Sequence, residues 1–165
     1  MVIVLMGVSG SGKTTIGECL AARIHAQFVD ADDFHSQANK AKMAAGHALN
    51  DEDRQPWLED LNRLLRESFS SGKSVVMACS ALKEKYRDTL RSGMPAGAVH
   101  LVFLDLPAGT LANRLKARHH EFMNSGLLDS QLATLEPPRG TDVGEGSAVG
   151  SSGGGLWLVV AGRPA

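Results

Sequence analysis

The chain has little of several features that mark whole classes of protein. Its two cysteines, Cys19 and Cys79, fit neither a disulfide framework nor a zinc motif, so we interpret both as reduced and structural. No apolar run is long enough for a membrane span, and the apolar start lacks the basic residues of a signal peptide. The net charge is close to zero, since the chain contains 17 Lys and Arg and 18 Asp and Glu. We therefore expect one cytoplasmic domain that binds neither nucleic acid nor membranes.

What the chain does have is a glycine-rich loop directly after an apolar run. Val2–Met6 leads into residues 7–14, which read G-x-x-x-x-G-K-T and are followed by a segment that can form a helix. Glycines let the backbone N–H groups of such a loop converge on phosphate oxygens. A glycine-rich turn without a ligand is the alternative, which the spacing disfavours. The predicted nucleotide-binding residues are Gly7, Val8, Ser9, Gly10, Ser11, Gly12, Lys13 and Thr14.

Two side chains of this loop have predicted chemical roles. Lys13 is expected to reach the β- and γ-phosphates of ATP, and the Thr14 hydroxyl is expected to ligate Mg²⁺. The motif therefore predicts ATP and Mg²⁺ as cofactors.

An acidic cluster follows the second predicted strand, Gln27–Asp30. Asp30, Asp32 and Asp33 lie close together, with His35 behind them. Ligands of an open α/β sheet bind beyond the carboxyl ends of the strands. One carboxylate there could orient Mg²⁺, and another could accept a proton from an attacking hydroxyl. The alternative is that these acids only cap the next predicted helix, 36–45.

Three cations are candidates for binding an anionic substrate. Arg54 lies in the acidic start of a predicted helix, where it could pair with Asp51 or Asp53 or bind the substrate. Lys83 and Arg87 are four residues apart on one predicted helix face, which favours either a solvated basic surface or a clamp for a carboxylate.

A basic segment around Arg114 and Arg118 is typical of a lid that covers a bound nucleotide. Arginines in such a segment can stabilise charge on the transferred phosphoryl group. We place this lid at about residues 114–130 and predict an α/β fold, a three-layer, doubly wound parallel sheet of four to five strands of the P-loop NTPase type, with a helical lid.

Several stretches of residues 1–138 share the motif order of one kinase family. They are MGVSGSGKTT (6–15), VDADDFH (29–35), LNDEDRQPW (49–57), CSALKEKYRD (79–88), RLKARHHEFM (114–123) and LLDSQLATLEPP (127–138). Together they resemble the gluconokinase family, a branch of the P-loop small-molecule kinases near shikimate and nucleoside monophosphate kinases. Many families share the P-loop, whereas LNDEDRQPW and CSALKEKYRD in this order are much more specific.

The resemblance implies transfer of the γ-phosphate of ATP to the 6-hydroxyl of D-gluconate, giving 6-phosphogluconate. It also implies that Asp32 is the carboxylate facing that hydroxyl and that Lys13 and Arg118 share in catalysis. Thr14 and Asp30 are assigned to the metal, and Arg114 to the nucleotide. The substrate pocket that it implies consists of Asp32, His35, Arg54, Lys83, Arg87 and His120.

The chain departs from the family pattern in its lid and its C-terminus. Glu121 stands between the second lid histidine and Phe122, and residues 139–165 form an atypical glycine- and serine-rich tail, as a frameshift would produce. We expect 139–155 to be flexible and 156–160 to be an edge strand or to pack against a neighbouring molecule. A weakly covered sheet favours self-association, such as a homodimer. The alternatives are a shikimate-kinase-like enzyme and a nucleotide-binding protein inactivated by its tail.

Overall fold

The computed structural model of the chain describes residues 1–117, 125–138, 147–152 and 155–161. The strands are β1 (Val2–Met6), β2 (Gln27–Asp30), β3 (Val75–Ala78), β4 (Val99–Asp105), β5 (Ser147–Ser152) and β6 (Gly155–Ala161). The helices are α1 (Lys13–Arg23), α2 (Gln37–Ala44), α3 (Asp51–Ser70), α4 (Glu84–Arg91), α5 (Ala108–Ala117) and α6 (Ser125–Thr134), with a 3-10 turn at Ala31–Phe34. Among the described residues no helix is long and apolar enough to cross a membrane.

The strands form one sheet in the order β2-β3-β1-β4-β6-β5. All neighbouring pairs are parallel except β5 and β6, which are antiparallel. The predicted α/β class with a parallel sheet is therefore confirmed. Because β1 lies between β3 and β4, the loop that follows β1 emerges in the middle of the sheet edge where the parallel strands end.

Strand β1 is buried on both faces, which is why its sequence is continuously apolar. Successive side chains of a strand point to opposite faces. Val2, Val4 and Met6 belong to the core under α3 and α4, whereas Ile3 and Leu5 pack with residues of α1. The sheet is thus the middle of three layers, as a doubly wound fold requires.

Helix α3 begins where its sequence provides a cap. The Asn50 side chain accepts a hydrogen bond from the Asp53 N–H, and the Asp53 carboxylate accepts one from the Asn50 N–H, so the two residues form a capping box. Downstream, Trp57, Leu58 and Leu61 recur at helical spacing and are buried against the sheet. The helix therefore begins in the acidic stretch around Arg54, where the sequence predicts a helix start.

The glycine-rich tail differs from the expectation in two respects. Residues 147–152, inside the stretch expected to be flexible, form β5. Residues 156–160 lie in β6, which is not at the edge because it pairs with β4 on one side and β5 on the other. Pairing with β5 satisfies the backbone groups that an edge position would leave open. Residues 139–146 lie outside the described part of the chain.

Candidate active site

The glycine-rich loop has the backbone conformation that its sequence predicts. Gly7, Gly10 and Gly12 have φ of 146°, 82° and 96°, a region that other residues rarely adopt. Gly12 is the N-cap residue of α1, so the positive end of this helix faces the loop. The Lys13 Nζ donates hydrogen bonds to the carbonyl oxygens of Gly7, at 2.9 Å, and Val8, at 3.1 Å. The loop therefore surrounds an ammonium group at the place where a phosphate chain would lie.

Helix α5 covers the outer side of this loop. A Cβ on Gly10 would lie 3.2 Å from Leu115 Cγ, and a Cβ on Gly12 would lie 3.7 Å from the Arg114 Nη1. The loop and α5 are thus in close contact, and the Arg114 guanidinium lies near Gly12. Arg118, His120 and Glu121 lie outside the described residues.

Thr14 and Asp30 meet at the ends of neighbouring elements. The Thr14 hydroxyl donates a hydrogen bond to Asp30 Oδ2 at 3.2 Å, although the two residues come from α1 and β2. The other oxygen, Asp30 Oδ1, accepts the N–H of Asp32 at 3.1 Å and begins the 3-10 turn. The cap role and the ligand role predicted for these acids are therefore compatible, because Asp30 uses its two oxygens separately.

Asp32 is a surface residue, with its side chain 81 % exposed. Water reaches the carboxylate, but protein atoms replace much of the surrounding solvent. This desolvation, and the nearby Asp30 carboxylate, raise the pKa of Asp32, while His35 and Lys13 oppose the shift. A carboxylate with a raised pKa is a stronger base than an ordinary aspartate and suits proton abstraction.

His35 is buried behind Asp32. Its ring stacks on the Trp57 indole at a centroid distance of 4.2 Å, and its Nε2 is 3.8 Å from Asp32 Oδ1. The Trp57 Nε1–H donates to the Ala31 carbonyl at 2.8 Å, which fixes the stack against the acidic turn. Burial, together with the Arg54 and Lys40 cations, lowers the pKa of His35, so its imidazole is neutral near pH 7.

A second polar cluster joins the starts of α3 and α4. The Asp51 carboxylate accepts hydrogen bonds from Lys83 at 3.0 and 3.2 Å, from Lys85 at 2.6 Å and from the Tyr86 hydroxyl. These donors hold the pKa of Asp51 well below its usual range. Arg54 extends the cluster, because its Nη1 is 3.5 Å from the Tyr86 hydroxyl. Two lysines thus bond to the Asp51 carboxylate, and the Arg54 and Lys83 cations lie 5.8 and 5.6 Å from the centre of the Tyr86 ring, an arrangement that suits an anionic ligand.

The predicted pocket residue Arg87 is placed differently from its neighbours. It is 2 % exposed, and its Nη1 donates to the carbonyl oxygens of Ala81 and Leu82, each at 3.1 Å. Ala81 has a φ of 44°, so this loop needs support for a conformation that favours glycine. Arg87 thus supports the loop that carries Lys83, and its contact with a substrate stays a prediction.

Sequence reasoning missed several partners in these clusters. Asp51 and Tyr86 are in motifs that were recognised, but nothing in their spacing showed that they meet 35 residues apart. Gln131 was also missed, although its Oε1 accepts the N–H of Ser9 at 2.7 Å. Cys79 was correctly interpreted as structural, since burial raises the pKa of its thiol to about 12 and keeps it protonated.

Comparison with known proteins places this site among kinases. The model of the AAA domain family matches residues 2–138. A gluconokinase from Gluconobacter oxydans (strain 621H) is 47 % identical over 137 residues, which cover 82 % of this chain and 75 % of the relative. A gluconokinase structure from Sinorhizobium meliloti 1021 is 39 % identical with a TM-score of 0.75, covering 99 % of this chain and 83 % of its own. An unliganded sugar kinase structure from Janibacter sp. HTCC2649 is 42 % identical with a TM-score of 0.78, covering 95 % and 83 %.

Proposed function

Since the chain belongs to the gluconokinase family of P-loop kinases, we propose that it transfers the γ-phosphoryl group of ATP to the 6-hydroxyl of D-gluconate and forms 6-phospho-D-gluconate. One observation carries the choice of substrate: a gluconokinase matches at 47 % identity over 137 residues, which cover 82 % of this chain. The relatives do not favour the shikimate-kinase alternative, which lacks the LNDEDRQPW stretch.

The phosphate loop and Lys13 would bind the triphosphate. In the structure the Lys13 Nζ is held by two carbonyl oxygens of its own loop, so the ammonium is already directed toward the loop's centre. Its attraction to the β- and γ-phosphates grows as charge develops on the leaving oxygen, which favours the transition state over bound ATP. The Arg114 guanidinium beside Gly12 would add a second positive charge.

Thr14 and Asp30 suit a magnesium ion. Their oxygen atoms are 3.2 Å apart, and hard oxygen ligands are those that Mg²⁺ prefers, with water and phosphate completing its shell. When bound, the ion would neutralise negative charge on the phosphates. Asp30 would hold it directly or through water, while still capping the turn that carries Asp32.

Asp32 would orient the 6-hydroxyl of gluconate and accept its proton. The raised pKa strengthens the carboxylate as a base. The Thr14 hydroxyl bonds to Asp30, and Asp30 bonds to the N–H of Asp32, so the base lies beside the end of the phosphate loop. Catalysis here is chiefly positioning and charge stabilisation, as phosphoryl transfer requires.

The cations at the starts of α3 and α4 would recognise the carboxylate of gluconate. The turn that carries Asp32 and the cations are linked through α3, because His35 stacks on Trp57 of the helix that also carries Arg54. A sugar acid bound along the start of this helix would present its 6-hydroxyl to Asp32 and its carboxylate to Arg54 and Lys83. Both cysteines are free thiols, which suits the cytoplasm as the location that we propose.

A coupled assay of ADP release tests the proposal. The full chain is assayed with Mg²⁺, ATP and one of D-gluconate, shikimate, glycerate, D-glucose or a nucleoside monophosphate, and the product is identified by NMR. We expect turnover with gluconate and phosphorylation at its 6-hydroxyl. Glucose should be far poorer, because a neutral analogue leaves the cations unpaired. Equal kcat/KM for the two sugars, or binding of ATP without any product, would contradict the assignment.

A further inference from the structure

The stretch Leu127–Pro138, which contains most of α6 and the residues after it, contacts both binding regions at once. We infer that Gln131 and Glu136 in this stretch are positioning residues, which hold the phosphate loop and the start of α4 in a fixed relation and so couple ATP binding to sugar-acid binding. The inference rests on the proposed function, because it names a sugar acid as the second ligand.

The first contact is with the phosphate loop. The Gln131 Oε1 accepts the N–H of Ser9 at 2.7 Å, across 122 residues of sequence. Ser9 is the third residue of the loop, so α6 is bonded directly to the first half of the loop. A backbone N–H at this point has no partner from a regular helix or strand, and the amide side chain satisfies it.

The second contact is with α4. Lys83 is the N-cap residue of α4, but its side chain does not cap the helix. Instead Glu136 Oε2 accepts the N–H of Glu84 at 2.6 Å, which places a carboxylate at the positive end of the helix. The Glu136 N–H donates to the Leu82 carbonyl at 2.8 Å. Glu136 therefore fixes the backbone on both sides of Lys83.

Apolar packing joins the two contacts. Leu128 is 6 % exposed and forms one cluster with Val8 of the phosphate loop, Leu82 before α4 and Leu111 of α5. Gln131 and Glu136 lie on the same short segment as Leu128. A shift of the phosphate loop would therefore move the start of α4, and the reverse also holds. Two ligands that each order this segment assist one another's binding, because the second finds it already ordered.

Binding of the non-hydrolysable analogue β,γ-imido-ATP with Mg²⁺, measured by calorimetry with and without saturating D-gluconate, tests the inference. In the wild-type chain we expect gluconate to lower the Kd of the analogue by roughly fivefold or more. Gln131→Met keeps the size of the side chain but removes the acceptor, and the ratio of the two Kd values should fall toward one. Asp129→Asn, an exposed change on the same helix, is the matched control and should retain the ratio.

A pair of variants at Glu136 provides the second arm. Glu136→Gln keeps an acceptor oxygen for the Glu84 N–H and should retain most of the coupling, whereas Glu136→Leu should lose it. Steady-state kinetics should show a kcat/KM lower by roughly tenfold or more in Glu136→Leu, because small displacements of reacting groups are costly. If Gln131→Met does not fold, the two Glu136 variants test the inference in its place.

The outcomes separate this inference from the proposed function. If wild-type protein binds both ligands without coupling, or if Gln131→Met and Glu136→Leu keep the wild-type ratio, the inference is overturned while the proposed function stands. Equal loss in Glu136→Gln and Glu136→Leu also overturns it, because the hydrogen bond would then not be the cause. If gluconate does not bind the wild-type chain, the proposed function itself fails.

Discussion

The two halves of the candidate site are built differently. On the phosphate side, Lys13 binds carbonyl groups only five and six residues away, and the loop takes its shape from glycine conformations. On the sugar-acid side, Asp51 accepts hydrogen bonds from Lys83, Lys85 and Tyr86, which are 32 to 35 residues away. Each of these three bonds joins two side chains. A site made of local backbone is encoded by a short motif. A site made of distant side chains depends on how two helices pack.

This contrast predicts different responses to mutation. Most side chains of the phosphate side are replaceable, because its donors are backbone N–H groups, and only those with their own chemistry are indispensable. Each side chain of the sugar-acid side contributes separately and more modestly. The predictions below test this difference.

The largest effect is expected at Lys13. Lys13→Ala removes the only side-chain charge of residues 7–14. The kcat should fall roughly a thousandfold, as it does when other enzymes lose a donor that stabilises charge in the transition state. ATP affinity should change much less, because the charge acts mainly in the transition state. Steady-state kinetics and calorimetry measure the two quantities, and circular dichroism checks folding. Turnover near the wild-type rate in a folded variant would refute the phosphate-site assignment.

Asp32 comes next, and its effect depends on pH. Because the pKa of Asp32 is raised, its carboxylate takes up a proton at a pH above that of an ordinary aspartate, about 3.9. The kcat should therefore decline on the acid side as the pH falls through this raised value. Asp32→Asn should lower kcat on the order of a hundredfold and remove this acid limb from the pH profile. An unchanged acid limb in the variant would assign the titration to another group.

On the sugar-acid side the expected effect is smaller and falls on KM. Lys83→Ala should raise the KM for gluconate by about tenfold, since a charge-assisted hydrogen bond contributes roughly 1.5–3 kcal/mol. Lys85→Ala is the matched control, because Lys85 bonds to the same Asp51 but its side chain is 58 % exposed, against 28 % for Lys83. Solvent screening should limit its effect to about twofold. Equal effects of the two substitutions would show that the cluster acts only as a diffuse positive field.

The smallest effect concerns the packing that positions the phosphate side. A Cβ on Gly17 of α1 would lie 2.5 Å from Phe28 Cε2, so Gly17→Ala should displace the helix from the sheet. We expect a net loss of about 1 kcal/mol, because overpacking outweighs the gain in helix propensity. Thermal unfolding should show a melting temperature lower by roughly 2–4 °C.

Gly109 of α5 is the control for this substitution. No atom of the described residues lies within 4 Å of a Cβ placed there, so Gly109→Ala should keep the propensity gain and raise stability by about 0.5–1 kcal/mol. If both glycine substitutions stabilise the protein, α1 can shift to accept the extra methyl group, and the close contact at Gly17 does not determine how α1 packs on the sheet.

Short-range rules make part of this protein predictable from its sequence. The spacing of Gly7, Gly12 and Lys13 predicted the phosphate loop, and Val2–Met6 is an apolar run whose residues alternate between the two helical layers. The helix start near Arg54 was also predicted, because the acids and the cap of a first helical turn are close neighbours in sequence.

Which side chains meet between the starts of α3 and α4 depends on how these helices pack. Arg87 was predicted to contact the substrate, and the structure shows it bonded to the carbonyls of Ala81 and Leu82, in a loop with a positive φ. Asp51 was predicted as an ion-pair partner of Arg54, and it accepts hydrogen bonds from donors at the start of another helix. The bond from Ser9 to Gln131 spans 122 residues. Contacts between residues so far apart in the sequence depend on how helices and strands pack, which a local sequence pattern does not predict.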